Sequence, residues 1–221
     1  MARRRFRRKD LKRPDEFVSR GRQVLQWVQE NLRTVTYAAG GVALVLLIIA
    51  GTISMRSARL RQANDDLSRA LADFRNARYA QAATQFAEVA QRWPSTAAGR
   101  IAVLYGANAD LNTNDFATAE TLLQSLLNAT AWPPYLQQEA LLSLGYALER
   151  KADYAAAAGR YAEAAGLEGP YTPMAILGEA RTRQQAGDKE KARALYERFT
   201  REFPQAPETD LVAQQIESLK S

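Results

Sequence analysis

Between Arg33 and Arg56 lie twenty-two residues, Thr34 to Met55, without a single charge. From Val42 to Ile53 they are almost entirely Val, Leu, Ile, Ala and Gly. At about 1.5 Å rise per residue, a helix of this length reaches ~33 Å, enough for a hydrocarbon core of about 30 Å. Its Val, Leu and Ile side chains together favour insertion by roughly 3 to 5 kcal/mol. A cleaved signal peptide would carry a shorter apolar run, about 7 to 15 residues, ending at a small-x-small site. Here 33 residues precede the run, and its exit offers only Thr52-Ile53-Ser54 as such a site. The run reads as one uncleaved transmembrane helix over 34–55.

That span divides the 221 residues into unequal parts. Residues 1–33 hold eleven Lys and Arg against four Asp and Glu, whereas residues 56–221 hold nineteen against twenty. The net charge of +6 therefore belongs to the tail, and the large C-terminal part is close to neutral. A nucleic-acid-binding domain would carry a basic face, which this balance does not suggest. Cysteine and histidine are absent. Disulfides, the usual zinc sites, haem ligation by His, and mechanisms needing an imidazole or thiolate are thereby excluded. The short basic tail places the N-terminus in the cytoplasm and residues 56–221 outside, because long domains cross largely regardless of charge.

The tail itself is dense in cations: Arg3, Arg4, Arg5, Arg7, Arg8, Lys9, Lys12 and Arg13 face only Asp10 over the first thirteen residues. Such a block stays disordered and suits an anionic lipid surface or ribosomal RNA, at ~1 kcal/mol per Lys or Arg near anionic lipid. Serving only as a topology signal is the plainer alternative. Pro14, Asp15 and Glu16 then mark a helix start. Phe17, Gly21, Val24, Leu25, Val28 and Leu32 recur at helical spacing behind it, as an amphipathic helix lying in the membrane interface would require.

After the span, one pattern returns four times. Tyr79-x2-Ala82-x3-Phe86, Phe116-x2-Ala119-x3-Leu123, Tyr154-x2-Ala157-x3-Tyr161 and Lys189-x2-Ala192-x3-Tyr196 superpose, with steps of 37, 38 and 35 residues at the alanines. Polar turns precede each: Ala77-Arg78, Asn114-Asp115, Ala152-Asp153 and Gly187-Asp188. Trp93-Pro94 and Phe203-Pro204 close the first and fourth units, three steps apart. A small residue lets two antiparallel helices approach, the aromatic one turn later fills the gap between hairpins, and proline stops the second helix. A helix pair alone leaves an apolar face uncovered, so the units must stack into a solenoid.

These residues resemble the tetratricopeptide repeat, whose unit is about 34 residues. The resemblance covers roughly 65–204 and is fullest in the third unit, with Leu141, Leu144 and Gly145, and in the fourth, with Ala180. The first unit has Phe74 one place off, the second lacks the closing proline, and the longer steps predict extended turns at Ala131-Trp132-Pro133-Pro134 and from Gly166 to Pro173. The expected fold is all-α: one transmembrane helix, then an α-solenoid of about four hairpins. Arg56 to Asn76 should run from the span into the first hairpin. Glu208 to Leu219, with Leu211, Val212, Ile216 and Leu219 on one side, should cap the open end.

No P-loop, Gly-rich nucleotide fingerprint, nucleophilic Ser elbow or paired-carboxylate site is present, so the chain reads as non-catalytic and free of cofactors. Gly40-Gly41 suits helix packing within the span, and Asp65-Asp66 a solvated helix face. In a repeat of this kind the first helices line a groove. Counting from the turns places Leu67, Leu71, Phe74, Leu104, Asn108, Asn112, Tyr146, Arg150, Arg181 and Gln185 there, a surface suited to extended or partly unfolded polypeptide. Equally, these could be ordinary core or face residues. Chaperone-tail-binding repeats use basic side chains and Asn on the first helices. Only Asn108 fits, since Leu67 and Leu104 stand where Lys would be needed.

A basic tail, one N-terminal anchor and an Ala-rich repeat domain running to the C-terminus resemble the ancillary SecYEG translocon subunit family (YfgM-like) of the bacterial inner membrane. That resemblance implies a periplasmic domain associated with the Sec translocon and a membrane-anchored chaperone, assisting emerging proteins without catalysis. A scaffold for another envelope complex, in cell-wall or outer-membrane assembly, and a ribosome or lipid tether acting through the tail are the alternatives.

Overall fold

The computed structural model describes residues 16–128 and 132–219, and among them every regular element is an α-helix. In chain order these are α1 (Glu16–Glu30), α2 (Leu32–Arg75), α3 (Tyr79–Arg92), α4 (Ala97–Asn112), α5 (Phe116–Asn128), α6 (Pro134–Arg150), α7 (Tyr154–Ala165), α8 (Thr172–Gln185), α9 (Lys189–Glu202) and α10 (Thr209–Ser218). The chain divides into two compact units between Ala58 and Arg59, a point inside α2. The cationic residues Arg3 to Arg13, and the expected helix start at Pro14-Asp15, lie outside the described residues.

In the first unit, α1 is amphipathic, with Leu25 and Trp27 exposed. The apolar part of α2 is long and apolar enough to cross a membrane, and among the described residues none of it is covered by protein. Val42, Leu44 to Ile49 and Ile53 are all exposed to the surroundings.

The second unit is built of four hairpins, α2/α3, α4/α5, α6/α7 and α8/α9, followed by α10, as the repeat spacing predicts. Each turn between paired helices is the same device. Ala77, Asn114, Ala152 and Gly187 take positive φ (57°, 64°, 61° and 86°) and recur at the repeat steps. At each, the next N–H reaches back five residues: Arg78 to the Asp73 carbonyl (3.0 Å), Asp115 to Asp110 (2.8 Å), Asp153 to Leu148 (2.9 Å) and Asp188 to Arg183 (2.9 Å). These bonds satisfy carbonyls that the helix end would otherwise leave open. The same aspartates then cap the following helix, their carboxylates accepting from the N–H groups of Thr118, Ala156 and Lys191. The first hairpin breaks the pattern with Arg78, whose guanidinium instead pairs with the buried Asp73 carboxylate, to which Gln85 also donates at 2.7 Å.

The core follows the repeated alanine-and-aromatic pattern. Ala82, Ala119, Ala157 and Ala192 are fully buried, and Phe86, Leu123, Tyr161 and Tyr196 nearly or fully so. Facing them sixteen residues earlier stand Ala70, Ala107, Gly145 and Ala180, all buried. Tyr161 lies between two glycines. A Cβ on Gly145 would stand 2.8 Å from its ring, and one on Gly178 2.7 Å. The clusters are continuous within each hairpin pair, and Val212 of α10 joins Phe199 and Tyr196 at the end of the stack. Leu211 departs from the expected apolar side of α10 and is exposed.

Two joints between hairpins are made by specific polar groups. Trp93-Pro94 ends α3, and the Trp93 indole N–H donates to Asp66 at 2.9 Å. Asp66 also holds Arg69 and lies near Arg92, so this carboxylate ties a joint rather than facing solvent freely. Between α7 and α8 the extended turn after Gly166 is present. It is held by Gln138, fully buried in α6, whose amide donates to the Ala164 and Leu167 carbonyls (both 3.0 Å) and accepts from the Tyr171 N–H at 3.1 Å. The α5–α6 joint is also long, though Ala131 lies outside the described residues.

Candidate binding groove

The first helices of successive hairpins touch, α4 with α6 and α6 with α8, and between them run adjoining recesses. One, of ≈ 330 Å³, is lined by Phe74, Tyr105, Asn108, Leu111, Asn112, Glu139 and Tyr146. The next, of ≈ 420 Å³, shares Leu111 and Tyr146 with it and adds Leu142, Met174, Leu177 and Arg181 among others. A third continues from Leu177 and Arg181 past Gln185 to Leu211. Met174 and Tyr146 are exposed, so apolar surface faces the open trough.

Helical spacing explains the lining. Tyr105, Asn108 and Asn112 share one face of α4; Glu139, Leu142 and Tyr146 share one face of α6; Met174, Leu177 and Arg181 share one face of α8. The rings are fixed by their neighbours. Phe74 meets Tyr105 edge-on at 5.7 Å and Phe86 at 6.2 Å. Ser143 donates to the Asn108 side-chain oxygen at 2.7 Å, bonding α6 to α4.

Charge in the groove is handled in two ways. Arg181 forks onto Glu149 with two bonds of 2.7 Å, and the Tyr161 hydroxyl donates to the same carboxylate at 3.1 Å. Glu149 keeps Arg181 charged, while burial pushes the Tyr161 phenol up. Glu139, by contrast, receives only the Tyr171 hydroxyl at 3.4 Å among the described residues, and burial pushes its carboxyl up. Burial, with the nearby Glu139 charge second, likewise raises the Tyr105 phenol.

Of the residues expected along this face, Phe74, Asn108, Asn112 and Tyr146 meet in the first recess, and Arg181 and Gln185 line the third. Arg150 is exposed and stacks on Phe116 at 5.2 Å and Tyr146 at 6.0 Å. Leu67 and Leu104 do not line the trough. Both are buried in hairpin cores, where neighbouring helices close over them, and Leu71 is partly buried against the same cluster as Leu67. The counterparts of Leu104 in the next two repeats, Leu142 and Leu177, do reach the recess. Repeat counting missed Tyr105, Glu139, Leu142, Met174 and Leu177. Extending each groove face one turn toward the helix start would have found Tyr105, Leu142 and Leu177, whereas Glu139 and Met174 lie two turns away. Among the described residues no cluster of His, Cys, Asp and Glu could hold a metal ion.

Residues 174–206, the fourth hairpin from α8 through α9, match the tetratricopeptide repeat family. Residues across the solenoid superpose on solved repeat structures. Yeast Tom70 is similar at a TM-score of 0.58 and 20% identity, over 72% of this chain and 33% of that one. A putative kinesin light chain from Podospora anserina, with nearly identical TPR-like repeats, is similar at 0.54 and 14% identity, over 72% of this chain and 95% of that one. The fold is a tetratricopeptide-like solenoid. The chain thus spans about a third of the Tom70 structure's length. No curated protein matches it in sequence. In this tetratricopeptide-like solenoid, the small residues Gly145 and Gly178 are what bring the groove helices α6 and α8 up to the Tyr161 ring.

Proposed function

We propose that this chain is a membrane-anchored adaptor that holds other polypeptides in the groove of its solenoid and performs no chemistry on them. The observation that carries this reading is the run of adjoining recesses along α4, α6 and α8, walled by Phe74, Tyr105, Leu142, Tyr146, Met174 and Leu177. A trough of rings and aliphatic side chains with scattered amides suits an extended chain, whose side chains find apolar pockets and whose backbone finds hydrogen-bonding groups. The long apolar stretch of α2 serves as the anchor, and the excess of cations before it supports a cytoplasmic tail and an extracytoplasmic solenoid. The tail rests on anionic lipid. The layout supports a place beside the Sec translocon of the bacterial inner membrane, handing emerging chains to a membrane-anchored chaperone.

A photo-crosslinking residue at Met174 in intact cells tests this reading. The expected products join the chain to translocated polypeptides and to Sec subunits, and protease added to spheroplasts should digest residues 59–221. Protection of the solenoid in spheroplasts overturns the orientation. Crosslinks to no other polypeptide overturn the groove.

A further inference from the structure

Glu139 is the one carboxylate in the groove that burial makes costly and that no cation offsets among the described residues. Two other carboxylates in the solenoid are treated differently: Asp73 is paired with Arg78, and Glu149 with Arg181. Among the described residues Glu139 forms no ion pair and accepts only the weak 3.4 Å bond from Tyr171. A carboxylate that has lost part of its hydration is destabilised unless charge or hydrogen bonds replace the water.

Its surroundings share its electrostatic sign. The recess brings together Phe74 from α2, Tyr105 from α4 and Tyr146 from α6, whose ring faces carry negative quadrupole density. Such rings attract cations within about 6 Å, and Tyr146 already has the Arg150 guanidinium at 6.0 Å. The recess offers one carboxylate and two asparagine side chains, too few oxygens for a hard metal ion, which requires six or so. An organic cation on an aliphatic stem fits better, because the rings and Leu111 can cover its methylenes while its charged end reaches Glu139.

We propose that this recess receives a lysine or arginine side chain of the polypeptide held in the groove. The adjoining trough of Leu142, Met174 and Leu177 then seats an apolar side chain of the same segment. The two recesses share Leu111 and Tyr146, so residues close in sequence can fill both. The inference rests on reading the groove as a polypeptide site and adds a selectivity to it: extended segments that combine a basic and an apolar residue are preferred over neutral or acidic ones.

The test uses the full chain in lipid nanodiscs and two blocked, fluorescein-labelled heptapeptides, each with leucine at the second and sixth places. One has lysine at the centre and the other glutamine. Fluorescence anisotropy should show the lysine peptide binding about tenfold more tightly. Glu139→Gln, which keeps the side chain's shape, should bring the two within about twofold, chiefly by weakening the lysine peptide. Circular dichroism melting should confirm that this variant is folded. Met174→Glu should weaken both peptides. Equal binding of the two peptides by the unaltered chain overturns the cation recess and leaves the groove standing. A lysine preference that survives Glu139→Gln overturns it as well. Binding of neither peptide overturns the groove reading and the recess with it.

Discussion

Two side-chain positions show how little room the solenoid leaves. Tyr161 fills the space between α6 and α8 only because Gly145 and Gly178 lack a Cβ, which would stand 2.8 and 2.7 Å from the ring. The ring cannot swing away freely, since its hydroxyl is bonded to Glu149 and the ring itself is buried. Gly145→Ala and Gly178→Ala should therefore each destabilise the fold by about 1–3 kcal/mol, the usual cost of overpacking. Urea unfolding measures this, and a change below a few tenths of a kcal/mol would mean the ring relaxes without strain. Asp110 carries a different kind of tension. Burial, then repulsion from Asp115, pushes its carboxyl from an ordinary 3.8 up to about 6. The native state thus holds a proton that the unfolded chain releases between those values, so this group's contribution to stability falls as pH rises through that window. Asp110→Asn should raise stability above pH 6 by about 1 kcal/mol, a figure reduced because water still screens much of the carboxylate. The gain should vanish near pH 4. Thermal melts across that range check the sign; a pH-independent gain would point to packing instead of charge.

At the scale of helices and turns, the sequence carried most of the architecture. The alanine and aromatic positions recur in register, and every one of those alanines is buried where a close helix approach requires it. The turn device was legible as position but not as chemistry. Three of the four left-handed residues, Ala77, Asn114 and Ala152, are not glycine, so composition hides a conformation that the backbone bonds reveal. An alanine held there costs about 1–2 kcal/mol, and glycine removes that cost while adding unfolded-state entropy. Ala152→Gly should accordingly stabilise by about 0.5–1 kcal/mol, whereas Gly187→Ala should destabilise by a similar amount. Opposite signs for the two substitutions in parallel thermal melts are the expected result, and a common sign would contradict the shared turn geometry. The groove was only half legible for a related reason. Repeat counting assigns equivalent positions but not which of them a neighbouring hairpin covers. Leu104 is sealed and Leu177 is not, although they are repeat equivalents. Glu139 carried no pattern at all, because its counterparts are Asn64, Ile101 and Met174, and its meaning arises only from rings supplied by three separate helices.

At the scale of the whole chain, burial is divided as sharply as charge. Each side chain in the described core belongs to residue 63 or beyond. A polypeptide beginning at Arg59 therefore keeps Ala63, Leu67 and Ala70 to cover α3 and loses none of the contacts that hold the hairpins together. It also sheds the uncovered apolar stretch of α2 and most of the positive charge. Residues 59–221 should thus dissolve without detergent, show a helical circular dichroism spectrum and unfold cooperatively in urea, while the full chain should require a bilayer or detergent. Within that fragment the two ends are unequal. The last hairpin is closed by α10, which lays Val212 against Tyr196 and Phe199 and Ile216 beside them. Stacked repeats draw stability from nearest neighbours, so an uncovered terminal face weakens the adjoining hairpin first. Removing residues 207–221 should lower the hydrogen-exchange protection of α8 and α9 well before that of α4 to α6, and should promote association through the uncovered Phe199 face. Uniform loss of protection along the solenoid would instead mean that α10 stabilises the stack as one cooperative block.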